Sequence, residues 1–167
     1  MKNFFRRVAF GIGPNESVPS DPLKWALNQV DEIPKLSWQG KIYSEKDLRS
    51  HYKDWVYGDR KVLRKKYKDD KTLYKTYKNL LRHETGQKFW ESLEISIRHN
   101  EGINSQHPVL AKLWMFWGNF FAISEKDFLA NYSTGPYQRE IIRPNLNQTF
   151  EKMVYDVTTS WAMIHHL

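Results

Sequence analysis

The 167-residue chain contains no cysteine, which excludes a disulfide framework, a thiolate nucleophile and a thiolate metal site. No stretch approaches the roughly 18 consecutive apolar residues that a membrane-spanning helix needs. Neither a Gly-x-Ser-x-Gly elbow nor a phosphate-binding loop occurs, so two common enzyme signatures are missing. Apolar and polar residues nowhere alternate for long enough to predict a sheet. The sequence therefore favours a helical protein without a recognisable catalytic motif.

What the chain does contain is aromatic residues and positive charge. Seven Trp, nine Tyr and nine Phe supply large side chains for a core, which excludes a disordered, charge-dominated segment. The net charge is +7. Residues 41–100 hold sixteen Lys and Arg against nine Asp and Glu, whereas the rest of the chain holds equal numbers of each. The whole excess of positive charge therefore lies in one segment.

Helix-start signals recur along the chain. Asp21 followed by Pro22 is typical of an N-cap and the first helical position. Ser44 and Asp47 have the spacing of a capping box, and Pro108 is placed to begin a further helix. We predict an all-α fold, an irregular bundle of five to seven helices that includes one long basic helix. Residues 1–167 are expected to form a single helical domain.

Other residues predict where helices are interrupted. Gly58 and Asp59 indicate a break or kink, and residues 133–136, Ser-Thr-Gly-Pro, indicate a turn. Ser124 and Asp127 have the spacing of a second capping box. The pair Arg6 and Arg7 precedes an apolar run of only six residues, 8–13, which is too short for a signal peptide. We therefore predict no signal peptide in this chain, and the sequence does not determine its localisation.

The basic segment has two interpretations. A cationic stripe over residues 61–82 could follow a phosphate backbone, with interleaved tyrosines as stacking platforms. The candidate residues for such polyanion binding are Arg64, Lys65, Lys66 and Lys68. In the second interpretation the tyrosines lie on the apolar face and pack against the fold, and the lysines form a solvated face. The spacing favours the second, and specific nucleic-acid binding is disfavoured because no recognition motif accompanies the charge.

The histidines do not predict a metal site. Six are scattered along the chain, and no His-Glu-x-x-His arrangement occurs. The adjacent pair His165 and His166 would point about 100° apart on a helix, which is unsuitable for binding one ion together. We predict neither a metal nor a cofactor for this chain.

Four polar residues are candidates for a binding site: Asn119, Arg139, Glu140 and Arg143. Asn119 lies within an otherwise apolar helical run, where a buried amide would need hydrogen-bond partners. Functionally, these residues could orient a polar substrate or an anion. Structurally, they could form a buried network in which an arginine binds Glu140 or helix-end carbonyls. We favour the structural interpretation because no nucleophile or base accompanies them.

The aromatic and apolar residues of the last third predict core and surface. A run at helical density is expected to form the hydrophobic centre of the bundle: Trp114, Phe116, Trp117, Phe120 and Phe121. A second stripe follows helical spacing to the end of the chain: Phe150, Met153, Val154, Val157, Trp161 and Ile164. We expect exposed apolar surface near Trp161 and Ile164, and hence self-association or a protein partner bound through this C-terminal helix.

Several motifs carry a resemblance to a known family. Residues 116–121 read Phe-Trp-Gly-Asn-Phe-Phe, residues 139–144 read Arg-Glu-Ile-Ile-Arg-Pro, and residues 162–163 read Ala-Met. Near the start, residues 7–11 read Arg-Val-Ala-Phe-Gly. Taken together in chain order, these motifs resemble the uncharacterised bacterial family named domain of unknown function 1800. The resemblance spans the chain, although Phe120 stands where members usually have histidine.

The resemblance carries expectations about length and role. Members are usually several hundred residues long, so the chain is expected to be the N-terminal part of a larger family domain. Relatives are often exported, which implies a structural or interaction role in a cell-envelope or export-associated assembly. The alternative is a fragment of a hydrolase-type enzyme whose site is completed beyond residue 167. That enzyme hypothesis predicts that Asn119, Arg143 and His165 converge on one cleft.

Overall fold

A computed structural model describes residues 2–12, 17–124 and 129–167. These residues form helices and connecting loops without a strand, which confirms the all-α prediction. None of their helices combines the length and the apolar character that crossing a membrane requires. The helices are α1 Lys2–Val8, α2 Pro22–Asn28, α3 Glu45–Lys53, α4 Arg60–Lys66, α5 Lys71–Glu84, α6 Gln87–Asn104, α7 Pro108–Phe120, α8 Ala130–Pro136, α9 Phe150–Thr159 and α10 Trp161–His166.

The predicted helix starts are confirmed by their hydrogen bonds. The Asp21 side chain accepts from the backbone N–H of Lys24, with Pro22 as the first residue of α2. At α3, the Ser44 and Asp47 side chains each accept from the other residue's backbone N–H, as a capping box requires. Pro108 begins α7. Of the capping box expected at residues 124–127, Ser124 is described, whereas its partner Asp127 lies outside the described residues. α1 is a helix that the sequence did not predict.

The cationic stripe at residues 61–82, predicted as one long basic helix, is divided into two helices. α4 ends at Lys66, and α5 begins after Asp70, whose side chain accepts from the backbone N–H of Leu73. An aspartate in this position caps a new helix and so competes with continuation of the old one. Gly58 and Asp59, predicted to break or kink the helix, lie in a π-helical turn, Asp54–Asp59, that joins α3 to α4 without a gap. Residues 61–82 therefore lie in a helical hairpin, which is attached to α3 through the π-helical turn.

The turn predicted at residues 133–136 is wrong, because these residues belong to α8, which is buried over most of its length. Pro136 is its last residue, and a π-helical turn, Tyr137–Ile142, follows directly. Gly135 allows α8 to approach α6, since a Cβ at this position would lie 2.1 Å from Glu94 Cγ. The close contact between α6 and α8 thus depends on a residue that in isolation indicates a turn.

The core has three parts arranged around α6, α7 and α8. The largest surrounds Trp114 of α7, the second joins α3 and α6 to α8, and the third packs α1 and α2 against α7. Their buried apolar members are Trp114, Tyr137, Ile142, Met153, Val157 and Ala162 in the first, Leu48, Trp55, Trp90 and Tyr132 in the second, and Ala9, Ala26 and Val109 in the third.

The aromatic run of α7 is only partly in this core. Trp114 is 1% exposed and confirms the prediction for its own position. Trp117 and Phe121 are half-buried against the same cluster. Phe116 and Phe120, predicted to be central, are 55% and 62% exposed. They lie on the other side of the helix, because residues two and six positions after Trp114 fall some 200–240° around the axis.

The C-terminal stripe belongs to two helices instead of one. Ser160 adopts an extended conformation between α9 and α10, and its side chain accepts from the backbone N–H of Met163. Met153 and Val157 face the core, whereas Ile164 is 63% exposed. Exposed apolar surface is therefore present at Ile164 as expected, while the half-buried Trp161 is covered by the guanidinium of Arg49 at 4.0 Å from its ring centroid.

Candidate functional site

Two buried arginines pair with two buried glutamates where α6 packs against the residues that follow α8. Arg139 Nε and Nη2 donate to the two carboxylate oxygens of Glu94, each at 2.8 Å. Arg143 Nη2 donates to Glu101 Oε1 at 3.3 Å, and its guanidinium lies 5.8 Å from the centroid of the Trp114 ring. All four charged side chains are almost fully excluded from solvent. Each charge is therefore neutralised inside the fold by a partner of opposite sign.

The Arg139 pair also positions the start of α3. Arg139 Nη2 donates to the carbonyl oxygen of Tyr43 at 2.6 Å, and Nη1 donates to Glu140 Oε1 at 3.3 Å. The exposed Glu140 carboxylate in turn accepts from the backbone N–H of Glu45, the first residue of α3, at 3.2 Å. A carboxylate at this end of a helix is favourable because the first N–H groups lack partners within the helix.

The Arg143 pair holds the loop between α2 and α3. Glu101 Oε2 accepts from the backbone N–H and the hydroxyl of Ser37 at 2.8 and 2.7 Å. Asn100 Nδ2 donates to the same hydroxyl at 3.0 Å. Three of the four predicted site residues, Arg139, Glu140 and Arg143, are thus parts of contacts that join distant segments of the chain.

Sequence reasoning missed the carboxylates of this network, although α6 contains a signal for them. Trp90, Glu94, Ile97 and Glu101 follow one another at intervals of four, three and four residues, which places them on one helical face. Trp90, Ile97 and Glu101 are buried, and the Glu94 side chain is 9% exposed. A glutamate on a buried helical stripe needs a cationic partner, and that requirement indicates an ion pair.

The fourth predicted residue, Asn119, is not part of the network. The expectation of a buried amide is wrong, because Asn119 is exposed near the end of α7. Its Oδ1 accepts from Arg98 Nη2 at 3.1 Å, and the same nitrogen donates to the Met115 carbonyl at 3.3 Å. Neither the cavity nor the groove described below includes Asn119, Arg143 or His165 in its lining. The convergence that the enzyme hypothesis requires is not seen at either place.

A cavity of about 110 Å³ adjoins the network between α6, α7 and α8. Its lining combines apolar rings and alkyl groups with carboxylates, guanidiniums and amides. The lining includes Glu91, Glu94, Arg98, Trp114, Gln138 and Arg139. The Trp114 indole N–H donates to the Gln138 carbonyl at 2.7 Å and so fixes the wall against α7.

Burial shifts the pKa values of two groups near this site. Burial lowers the pKa of Arg143 from its ordinary value, while Glu101 acts in the opposite direction. Burial raises the pKa of Tyr137, whose hydroxyl donates to the Phe121 carbonyl at 2.8 Å. The described residues contain no group of three or more His, Asp or Glu side chains close enough together to hold a metal ion. The described residues of this site therefore interact through ion pairs and hydrogen bonds.

An apolar groove of about 510 Å³ lies on another side of α7, between α1, α2 and α7. Its walls are mainly aliphatic and aromatic, and its charged lining residues, Arg7 and Lys112, are both cations. Lys112 Nζ donates to the carbonyl of Ala9 at 2.7 Å. The residues that line the groove include Arg7, Leu23, Leu27, Lys112 and Phe116.

Exposed aromatic rings extend this apolar surface along α7. We call Phe116, Phe120 and Phe150 the aromatic ridge, since all three are exposed and surround the half-buried Trp117. Their ring centroids lie 5.1, 5.4 and 5.6 Å from that of Trp117. The groove and the ridge share Phe116, so together they form a continuous apolar surface of the kind that marks interaction sites.

The predicted polyanion-binding residues lie on the hairpin formed by α4, residues 67–70 and α5, which we call the basic hairpin. Arg64, Lys65, Lys66 and Lys68 are all exposed, and α5 has no buried residue. Tyr67 and Tyr77 stack on each other, with ring centroids 4.9 Å apart and planes within 5°. Packing of the tyrosines against the fold is therefore only partial, because Tyr77 is 41% exposed and none of the three hairpin tyrosines is buried.

Comparison with known proteins identifies the family. No curated protein and no solved structure matches the chain. A family model described as protein of unknown function (DUF1800) matches residues 3–167. The match includes the motif at residues 116–121, where the departure from the family pattern, Phe120, is an exposed ring of the aromatic ridge. It also includes the paired arginines at residues 139 and 143. The chain therefore belongs to the family of proteins of unknown function called DUF1800.

Proposed function

We propose that this protein is an interaction module that binds an acidic amphipathic helix of a protein partner in the apolar groove. The observation that carries this proposal is the groove itself, which combines exposed apolar side chains with two cationic ones. Leu23, Leu27 and Phe116 leave more than half of their surface in water. Covering such side chains is favourable by about 25 cal/mol for each Å² removed from water.

The charges of the groove favour an acidic occupant. Arg7 and Lys112 have no carboxylate within ion-pair distance among the parts of the chain that the structure describes. A helix with glutamates beside its apolar face would pair with them, and complementary charge also speeds encounter. A second copy of this chain is a poorer occupant, because each copy has a net charge of +7.

Peptide binding tests the proposal. A designed amphipathic peptide with leucines on one face and flanking glutamates should bind the protein in a fluorescence anisotropy titration, and more tightly than the same peptide with lysines in place of the glutamates. Leu27→Glu should weaken binding by about thirtyfold, corresponding to about 2 kcal/mol, because it places a carboxylate in the apolar contact.

Tyr155→Glu is the matched control, because Tyr155 is an exposed aromatic residue of α9 outside the groove lining and its replacement should leave the affinity unchanged. Equal affinity for the two peptides, or equal loss in the two variants, would contradict the proposal. A dimer in sedimentation equilibrium that Leu27→Glu dissociates would show that the occupant is a second copy instead.

A second candidate function is polyanion binding by the basic hairpin, favoured by the lack of any buried residue in α5. The affinity for mixed-sequence single-stranded DNA should then fall steeply as salt rises and should be indifferent to base sequence. Reversing the charges of Lys65, Lys66 and Lys68 to glutamate should abolish binding, whereas Lys35→Glu, on an exposed lysine outside the hairpin, should have a small effect. Binding that survives the triple reversal would exclude this function.

Three further proposals rest on the resemblance to the family. The first is a place in a cell-envelope or export-associated assembly, and the second is that the chain is part of a larger domain. The third is the hydrolase-type alternative. An interaction module with an uncovered apolar groove is compatible with the first two. The hydrolase alternative requires catalytic groups in one place, and it would be supported by hydrolytic activity that is lost on substitution of Arg143 by lysine in a folded protein.

A further inference from the structure

One face of α7 lines the apolar groove and then continues into the aromatic ridge. The α7 residues in the groove lining are Val109, Lys112, Leu113 and Phe116. Phe120 follows Phe116 by four residues. At 3.6 residues per turn, all five positions fall within an arc of roughly 100° around the helix axis. The groove and the ridge are therefore two parts of a single helical face.

The exposure of this face rises from the groove toward the ridge. Val109 is 6% exposed and belongs to the buried cluster that packs α1 and α2 against α7. Lys112 and Leu113 are half-buried. Phe116 and Phe120 leave most of their surface in water. The described residues therefore cover the ridge end of the face least.

The aromatic ridge has a second wall that the groove does not share. Phe150, the first residue of α9, is 57% exposed and packs beside Trp117. On α7, the rings of Phe116 and Phe120 stack with centroids 6.4 Å apart and planes 24° apart. Large aromatic side chains are common anchors of protein interfaces. The ridge thus provides a platform for an apolar side chain of a partner.

The length of the shared face sets the length of a helix that covers it. Val109 and Phe116 are seven positions apart, which is roughly 10 Å along the axis. Val109 and Phe120 are eleven positions apart, which is roughly 17 Å. A helix packed along α7 therefore covers the groove with about two turns, and the groove and the ridge together with about three.

We infer that the occupant of the groove is a helix of at least three turns, one end of which places a large apolar side chain on the aromatic ridge. This inference rests on the proposed function, because it specifies the partner of the same groove. The glutamates of the occupant lie in the half over the groove, where Arg7 and Lys112 are. Its other half is apolar where it meets Phe120 and Phe150. A short acidic helix that fills the groove alone is thereby distinguished from the partner.

Two designed peptides of equal length and charge test the inference. The ridge-binding peptide has four helical turns, with leucines and flanking glutamates in one half and leucine and phenylalanine on the same face of the other half. In the alanine peptide, the leucine and phenylalanine of that second half are replaced by alanine. Each is made with the acidic half first and with the acidic half last, so that both directions along α7 are covered.

Fluorescence anisotropy titrations with the wild-type protein measure the difference. The ridge-binding peptide should bind about tenfold more tightly than the alanine peptide, because its second half removes additional apolar surface from water. Equal affinity of the two peptides in both orders would overturn the inference and leave the proposed binding in the groove intact. Failure of both peptides to bind would overturn the proposed function, and this inference with it.

Phe120→Ala assigns the added affinity to the ridge. The variant should bind the ridge-binding peptide about fivefold more weakly, since an aromatic anchor is lost. It should bind the alanine peptide as the wild type does, because Phe120 lies outside the groove lining. Leu27→Glu should weaken both peptides, since both fill the groove.

Tyr57→Ala is the matched control, on an exposed aromatic residue of the π-helical turn before α4, and should change neither affinity. Circular dichroism checks that each variant is folded. Equal weakening of the two peptides by Phe120→Ala, or full affinity of this variant for the ridge-binding peptide, would overturn the inference.

Discussion

Replacing Arg139 by methionine will lower the free energy of unfolding by about 3–5 kcal/mol, because the substitution leaves the Glu94 carboxylate buried without its cation. Glu94 accepts two hydrogen bonds from Arg139 and has little access to water. The variant also loses the donor to the Tyr43 carbonyl, which holds the start of α3. Chemical denaturation followed by circular dichroism measures the change.

The partner substitution separates an unpaired charge from a lost contact. In the double variant with Glu94→Leu and Arg139→Met, no buried charge remains at this position, so most of the lost stability should return. Lys152→Met is the control, because the ion pair of Lys152 with Asp156 is partly exposed and should contribute at most about 1 kcal/mol. A double variant no more stable than the Arg139 single variant would show that the hydrogen bond to α3, and not the ion pair, dominates.

Replacing Trp114 by alanine will lower the free energy of unfolding by about 3–5 kcal/mol, the range typical of a large aromatic residue in a core. Trp114 is central to the largest buried cluster and supports Arg143 with its ring. Its indole N–H also donates to the Gln138 carbonyl, so the change removes a hydrogen bond between α7 and the π-helical turn that follows α8. Thermal and chemical denaturation should agree on the loss.

Phe116→Ala is the matched control on the same helix. Phe116 is an aromatic residue two positions later, but more than half of it already lies in water, so its removal should cost less than about 1 kcal/mol. The same substitution should weaken binding of the acidic peptide, since Phe116 lines the groove. Similar destabilisation by the two substitutions would show that the aromatic ridge is covered in solution.

These measurements distinguish the roles of the family motifs at residues 116–121 and 139–144. Arg139 and Arg143 lie in buried contacts that connect α6 with the segment after α8, which supports the structural interpretation of these arginines. Phe116 and Phe120 are exposed and available to a partner. We therefore propose that different residues of the chain carry the structural role and the interaction role.

The local features of this protein follow from the sequence alone. The all-α class, the N-cap at Asp21, the capping box at Ser44 and the proline start at Pro108 each depend on residues within a few positions of one another. The family motifs are likewise readable without coordinates. Cap hydrogen bonds form within one turn of helix, so the residue types at neighbouring positions of the sequence determine them.

The tertiary structure alone decided which of these residues are buried and which meet. α7 is apolar on all sides, so its sequence cannot show that Trp114 faces the core while Phe116 faces solvent; packing of neighbouring helices makes that choice. The partners of Arg139 and Arg143 lie more than forty residues away, on α6. Residues 133–136 form a helix where the sequence predicts a turn, because burial against α6 outweighs their weak local preference. Contacts between distant segments stabilise these arrangements, and no local sequence pattern predicts such contacts.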